Sequence, residues 1–192
     1  MKTLDDAWRW YQDARASLKR IHRIGAKHWL SFSGEAGGAL RRDDHFRMLE
    51  SQDITEPSGN ALEELDDLAI VVMFSVFEGI VRDAILRQIR PEAARLRHQS
   101  LVEAAAEAAE AIRFGSFYRV LAPYRTGHAE IVEEVDQVRE YRNWVAHGKR
   151  QMPRNQVTPV VAYDRLRHFL AVFVDPHISE EDWLALLRES GE

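Results

Sequence analysis

The sequence predicts an all-α fold on three grounds. Apolar residues recur every three or four positions in segment after segment, strand-like alternation is not seen over any comparable length, and helix caps or breakers stand at the segment ends. At 192 residues, the chain suits one domain, 1–192, with a hydrophobic core of its own.

The first helix is expected from about Asp5 to Leu30, because Leu4, Trp8, Tyr11, Leu18 and Ile21 keep helical spacing. Ser33-Gly34-Glu35-Ala36-Gly37-Gly38 reads as a loop, with a short helical piece after it around Leu40 to Glu50. Asp53 to Gly59, with Pro57 and Gly59, reads as a second break. Asn60, followed three residues on by Glu63, then opens a long helix in the manner of a capping box. Its expected inner face is Leu62, Leu65, Ala69, Val72, Val76 and Ile80. Between Leu68 and Phe77 it is apolar nearly all round, which predicts the most buried helix of the fold. Pro91 should end it near Ile89, because proline has no N–H to continue the ladder.

Ser100 and Glu103 form another capping box, opening an Ala-rich helix to about Ile112. The aromatic stretch from Phe114 to Tyr124 reads as a short helix or an ordered connection. Thr126 and Gly127 precede a long helix over His128 to His147, which Gly148 stops. After a loop from Met152 to Thr158, Thr158-Pro159 makes an N-cap and first-turn pair for a helix running to about Phe173. Pro176 breaks the chain again, and Ser179 caps a short last helix over 179–190 that carries Trp183, Leu184, Leu186 and Leu187.

Composition narrows the function classes. With 45% hydrophobic and 30% charged residues the chain is globular in type rather than disordered. No apolar run approaches membrane-spanning length, the start Met1-Lys2-Thr3-Leu4-Asp5-Asp6 has no apolar signal region, and cysteine is absent. Disulfides, thiol catalysis and cysteine-ligated metal are therefore excluded, and a cytoplasmic location without membrane contact is expected. The formal charge of −5, from 26 basic against 31 acidic residues, argues against binding nucleic acid over the whole surface. A nucleic-acid contact must use a local basic patch.

One helix contains an anomaly. Ile131, Val135, Val138 and Val145 follow a 4-3 spacing whose missing member is position 142, and that position holds Arg142. An arginine on an apolar seam is costly unless it finds a partner or a solvated cleft. Asn143 and His147 lie four residues apart and share a face, with Arg139 one turn earlier on it. An earlier helix carries Ser75, Glu78 and Arg82 as a polar stripe in apolar surroundings, and Arg142 is a natural partner for Glu78. Lys149, Arg150 and Arg154 follow His147 with no acidic residue among them, which makes a basic rim in an acidic protein.

Arg142-Asn143-Trp144-Val145-Ala146-His147 resembles the Arg-polar-spacer-His signature of the HEPN superfamily, at the helix end where that signature sits. Phe74-Ser75-Val76-Phe77-Glu78-Gly79-Ile80-Val81-Arg82 resembles the Ser-x-Phe-Glu-x-x-x-Arg segment of several HEPN families. The likeness is clearest from Asn60 to Pro159. It implies an antiparallel helical bundle with a core over 60–175, a helical extension over 1–55 and additional helices at both ends. It also implies an endoribonuclease that needs no metal or other cofactor, used as a toxin or in phage defence. Such enzymes act as homodimers whose two motifs face each other in one composite cleft, and a cognate antitoxin protein is a further implied partner.

The chemistry fits these side chains. RNA carries its own nucleophile, the ribose 2′-OH. His147 is of the type that moves protons near neutrality, Arg142 can hold the phosphate, and Asn143 can orient the histidine or bond a phosphate oxygen. The expected product end is a 2′,3′-cyclic phosphate. Glu78, Arg82 and Ser75 stand as supporting residues, with a structural ion pair as the competing role for Glu78 and Arg82. Lys149, Arg150, Arg154 and Arg139 are the candidate RNA contacts. Positions 142 and 147 are about 140° apart around an ideal helix. They converge only if the helix end unwinds near His147 or a second protomer completes the site. The alternative is a non-catalytic HEPN-like module acting with a nucleotidyltransferase-type or antitoxin partner.

The remaining patterns point nowhere else. The histidines show no HExxH or similar ligand spacing, so no metal site is expected. The glycines at 34–38 lack the Gly-Lys-Ser/Thr ending of a phosphate loop. Trp8, Trp10, Tyr11 and Trp29 read as core or dimer-interface aromatics.

Overall fold

A computed structural model describes residues 1–31, 37–38, 42–150 and 155–174. Among these the chain is helical, with no strand. The expected helix at 179–190, residues 33–36 of the first loop, and residues 152–154 of the second, Arg154 among them, lie outside the described residues. The helices are α1 (Leu4–Arg23), α2 (Ser51–Ala93), α3 (Gln99–Phe114), α4 (Phe117–Leu121), α5 (Arg125–Ala146) and α6 (Pro159–Phe173). The chain divides into two compact units, one of Met1–Ala7 with Ile70–Glu192, the other of Trp8–Ala69.

In the first unit, α1 opens on a reciprocal cap. The Asp6 N–H donates to Thr3 Oγ1 at 3.1 Å, and the Thr3 N–H donates to Asp6 Oδ2 at 3.2 Å. The core is aromatic. Phe77 meets Phe117 and Phe169 edge-on at 5.8 and 5.4 Å, and Phe74 meets Phe117 at 5.6 Å. Leu121, Val132, Val135, Val138 and Leu166 close around them with no exposed surface. Helix α6 keeps its expected bounds, and Thr158 caps it by accepting from the Val161 N–H at 3.4 Å.

The expected inner face of α2 is corrected. The fully buried side chains are Ala69, Ile70, Met73, Phe74, Phe77 and Val81, while Val72, Val76 and Ile80 are half-buried. A helix apolar all round has no preferred stripe, so the largest rings claim the interior. One further expectation changes, and one holds. Helix α3 starts at Gln99 with His98 as N-cap and no side-chain cap bond, so Ser100 and Glu103 form no capping box. Helix α5 begins at Arg125, but Thr126, Gly127 and His128 are non-helical, with Gly127 at φ 89°. The regular part therefore starts just beyond His128, where the sequence placed it.

In the second unit, the helix expected to open at Asn60 already runs from Ser51. Asp53 Oδ2 accepts from the Glu50 N–H at 2.7 Å and caps this earlier start. Pro57 sits in the second turn, where side-chain donors take neighbouring carbonyls: Ser58 Oγ donates to Ile54 O at 2.5 Å, and His22 Nδ1 to Thr55 O at 3.1 Å. The proline is absorbed rather than obeyed. Pro91 is likewise inside the last turn of α2, which ends at Ala93. After α1 the chain continues as a π-turn over Ile24–His28 and a 3₁₀ turn over Trp29–Ser31. Residues 42–48 are turns around Asp43 rather than the expected short helix. Tyr11 Oη and Arg15 Nε both donate to Asp66 Oδ1, at 2.8 and 3.1 Å.

In the second unit, Gly25 is buried against the start of α2, and its carbonyl accepts from Ser51 Oγ at 2.8 Å. A Cβ there would stand 2.9 Å from Ile54 Cγ2 and from Thr55 Cγ2. Gly25→Ala is expected to cost about 1–3 kcal/mol by overpacking, read as a lower urea midpoint; an unchanged midpoint refutes the close approach. In the first unit, Tyr163 Oη donates to Asp5 Oδ1 at 2.6 Å, and burial followed by that bond pushes its pKa from 10.0 up to about 12. A raised pKa means that the neutral phenol is the stabilising form. Its contribution is complete below the unfolded value of 10.0 and is lost as pH rises through about 12. Denaturation series below and above this window should show a shallower alkaline loss in Tyr163→Phe than in wild type.

Candidate active site

The site is built on α2 and α5. Glu78 lies on α2 between two arginines. Its Oε2 accepts from Arg142 Nη2 at 2.8 Å, and its Oε1 from Arg82 Nη2 and Nε at 2.5 and 3.1 Å. The Arg142–Glu78 pair is the contact that the seam anomaly called for. Arg142 also stands 4.8 Å over the Phe74 ring, and its Nη1 donates to Asn143 Oδ1 at 3.0 Å. The three charged side chains are between 14% and 25% exposed, so their attraction is poorly screened by solvent.

Arg82 reaches further. Its Nη1 donates to Ile112 O and its Nη2 to Gly115 O at 2.9 Å. These carbonyls lie at the C-terminus of α3, where helix geometry leaves acceptors without partners and the dipole favours a cation. Arg82 thus ties the end of α3 to Glu78. Ser75 does not join this group. It is exposed, and its hydroxyl donates back to Val71 O at 2.8 Å within its own helix.

His147 is exposed and forms the C-cap of α5. Its N–H still donates to Asn143 O at 2.9 Å. The chain turns only afterwards: Gly148 N–H donates to Val145 O at 3.0 Å and Lys149 N–H to Trp144 O at 2.9 Å, with Gly148 at φ 77°. This is a Schellman closure, which keeps the helix intact through His147. The helix end does not unwind before the histidine, so Arg142 and His147 stay on different faces of one helix. That removes one of the two routes by which they could converge.

Arg139 occupies its expected face but is committed there. Its Nε donates to Asp136 Oδ1 at 2.7 Å. Asp136 is only 5% exposed and also accepts from Arg125. Both guanidiniums lie over the Tyr118 ring, at 4.9 Å for Arg125 and 5.4 Å for Arg139. The sequence reading missed Asp136, Arg125 and Tyr118. The one available signal was a carboxylate beside Val135 on the apolar seam with an arginine three residues on. Lys149 and Arg150 are exposed just past the helix end. Among the described residues no group of three or more His, Asp or Glu is placed to hold a metal ion, and no helix is long and apolar enough to cross a membrane.

No family model, no curated protein and no solved structure matches this chain.

Removing the Glu78 carboxylate leaves two part-buried guanidiniums facing each other. Glu78→Ala is expected to cost about 1–3 kcal/mol in urea denaturation. A cycle with Arg142→Ala should return a coupling of at least about 0.5 kcal/mol, whereas strictly additive losses refute the pair.

Proposed function

We propose that this protein is a HEPN-type endoribonuclease with the antiparallel bundle of that superfamily. It acts in the cytoplasm as a homodimer, in the role of a toxin or anti-phage effector held in check by an antitoxin. The observation that carries the reading is Arg142: a cation on an apolar seam, fixed by Glu78 and Phe74, next to Asn143 and five residues before His147. Fixed donors are what a phosphoryl transition state requires, because they need not reorganise as charge develops.

In the proposed reaction, His147 removes the proton of a ribose 2′-OH. The oxygen attacks the adjacent phosphorus, the P–O5′ bond breaks, and the 5′ oxygen leaves with the proton that His147 has taken up. One product ends in a 2′,3′-cyclic phosphate and the other in a 5′-OH. Arg142 stabilises the charge on the non-bridging oxygens, and Lys149, Arg150 and Arg154 contact the flanking backbone. Within one protomer His147 and Arg142 face apart, so in this reading the histidine of one copy works with the arginine of the other.

That arrangement has a sharp test. His147→Ala and Arg142→Ala are each expected to abolish cleavage of single-stranded RNA while the protein remains folded and dimeric. Mixing the two inactive variants should restore activity, to roughly a quarter of wild type, because half of the dimers then hold one intact composite site. No restoration on mixing sinks the shared site. RNA binding without cleavage by the wild-type protein identifies instead a non-catalytic module that works with a nucleotidyltransferase or antitoxin partner.

A further inference from the structure

The cluster around Asp136 is the second place where this acidic protein concentrates fixed positive charge. Two guanidiniums and one carboxylate leave it at about +1. The carboxylate is buried and its oxygens are divided between the arginines, one to Arg125 and one to Arg139. It therefore acts as a clamp that holds both cations beside Tyr118. The tyrosine remains 47% exposed beside the two guanidiniums. A buried acid spent on positioning two arginines around a half-exposed aromatic ring has the composition of a nucleotide platform: cations for a phosphate and an aromatic ring for a base.

Its position along α5 gives it a direction. Arg139, Asn143 and His147 follow one another at intervals of four residues, so they line one helix face. From Arg139 to His147 the helix rises about 12 Å, the length of a few stacked bases at ~3.4 Å each. We infer that Tyr118, Arg125 and Arg139 form a subsite for single-stranded RNA, in which a base stacks on Tyr118 and the adjoining phosphate lies against the two arginines, a few nucleotides from His147. The inference rests on the ribonuclease reading for its choice of nucleic acid. It gives Arg139 a role through the platform rather than through direct contact with the scissile phosphate. Single strands are the expected class because a base must be unstacked from its neighbours to reach the ring.

The test uses a fluorescently labelled single-stranded RNA octamer in a His147→Ala background, where the probe stays intact, with binding read by anisotropy. Tyr118→Ala should weaken binding roughly fivefold to a hundredfold, the range of one lost base stack, while Tyr118→Phe binds like its parent. Thermal melting of each variant reports whether the fold is kept. Unchanged binding by Tyr118→Ala overturns the subsite, as does a Tyr118→Phe variant as weak as the alanine. The two readings fail separately. If the otherwise wild-type enzyme cleaves RNA with a KM that Tyr118→Ala leaves alone, the subsite falls and the ribonuclease stands. If binding depends on Tyr118 in a protein that cleaves no RNA, the subsite stands and the ribonuclease falls.

Discussion

One carboxylate organises the larger unit of this protein. Glu78 gives one oxygen to Arg142 on α5 and the other to Arg82 on its own helix, and Arg82 passes the connection on to the last carbonyls of α3. Three helices are thereby registered to a single side chain. Such a cluster is a poor way to gain stability, because withdrawing three charges from water costs about as much as their attraction returns. What it supplies is position. Arg142 cannot swing out to bulk solvent without giving up Glu78 Oε2 and uncovering Phe74. With two cations to one anion the cluster also keeps net positive charge in a chain of net charge −5.

The end of α5 imposes the second constraint. The Schellman closure over Trp144 to Lys149 satisfies the terminal carbonyls and fixes where the helix stops. A frayed end would have let His147 wander toward Arg142, at the expense of a defined geometry. The closed end does the opposite: it holds the histidine on one face, the arginine on another, and Asn143 between them, hydrogen-bonded to the arginine. A general base must lie within hydrogen-bond reach of the proton it takes. Within one copy the two groups therefore cannot serve one substrate atom, which is why the proposed reaction draws on a second copy.

What the sequence disclosed and what it hid follow from the range of each signal. Helix α6 was legible to the residue because its cap and first turn, Thr158-Pro159, are local chemistry. The Arg142–Glu78 pair was legible because a charged residue on an apolar seam is a conspicuous cost with few remedies. Pro57 misled because its effect depends on donors from elsewhere: His22, brought from α1, and Ser58 service the turn that the proline disrupts. The inner face of α2 was hidden because uniform apolarity carries no phase. Ser75 looked like a member of the polar stripe on spacing alone, but a serine in a helix can satisfy itself on the preceding turn, and this one does. Asp136 escaped for the reverse reason. An acid in a long helix reads as solvated, and only folding shows that two arginines, one of them eleven residues away, enclose it.

These two arginine–carboxylate clusters divide the work of α5 between its faces. Toward α2, Arg142 is held by Glu78; along the face that carries Asn143 and His147, Arg139 is held by Asp136. In both cases an acid restrains a cation that would be a flexible surface side chain without it, and in both an aromatic ring lies beneath the guanidinium. Restraint of this kind lowers the entropy lost when a ligand is bound, since the donors are already in place. On the proposed reading it also accounts for how a protein with an excess of acidic residues would address a polyanion: part of its acid is spent at close range on orienting arginines, where it positions the cations instead of only cancelling them. The feature that makes the sequence look unpromising for RNA, its net negative charge, would at these two points be part of what arranges the proposed contacts.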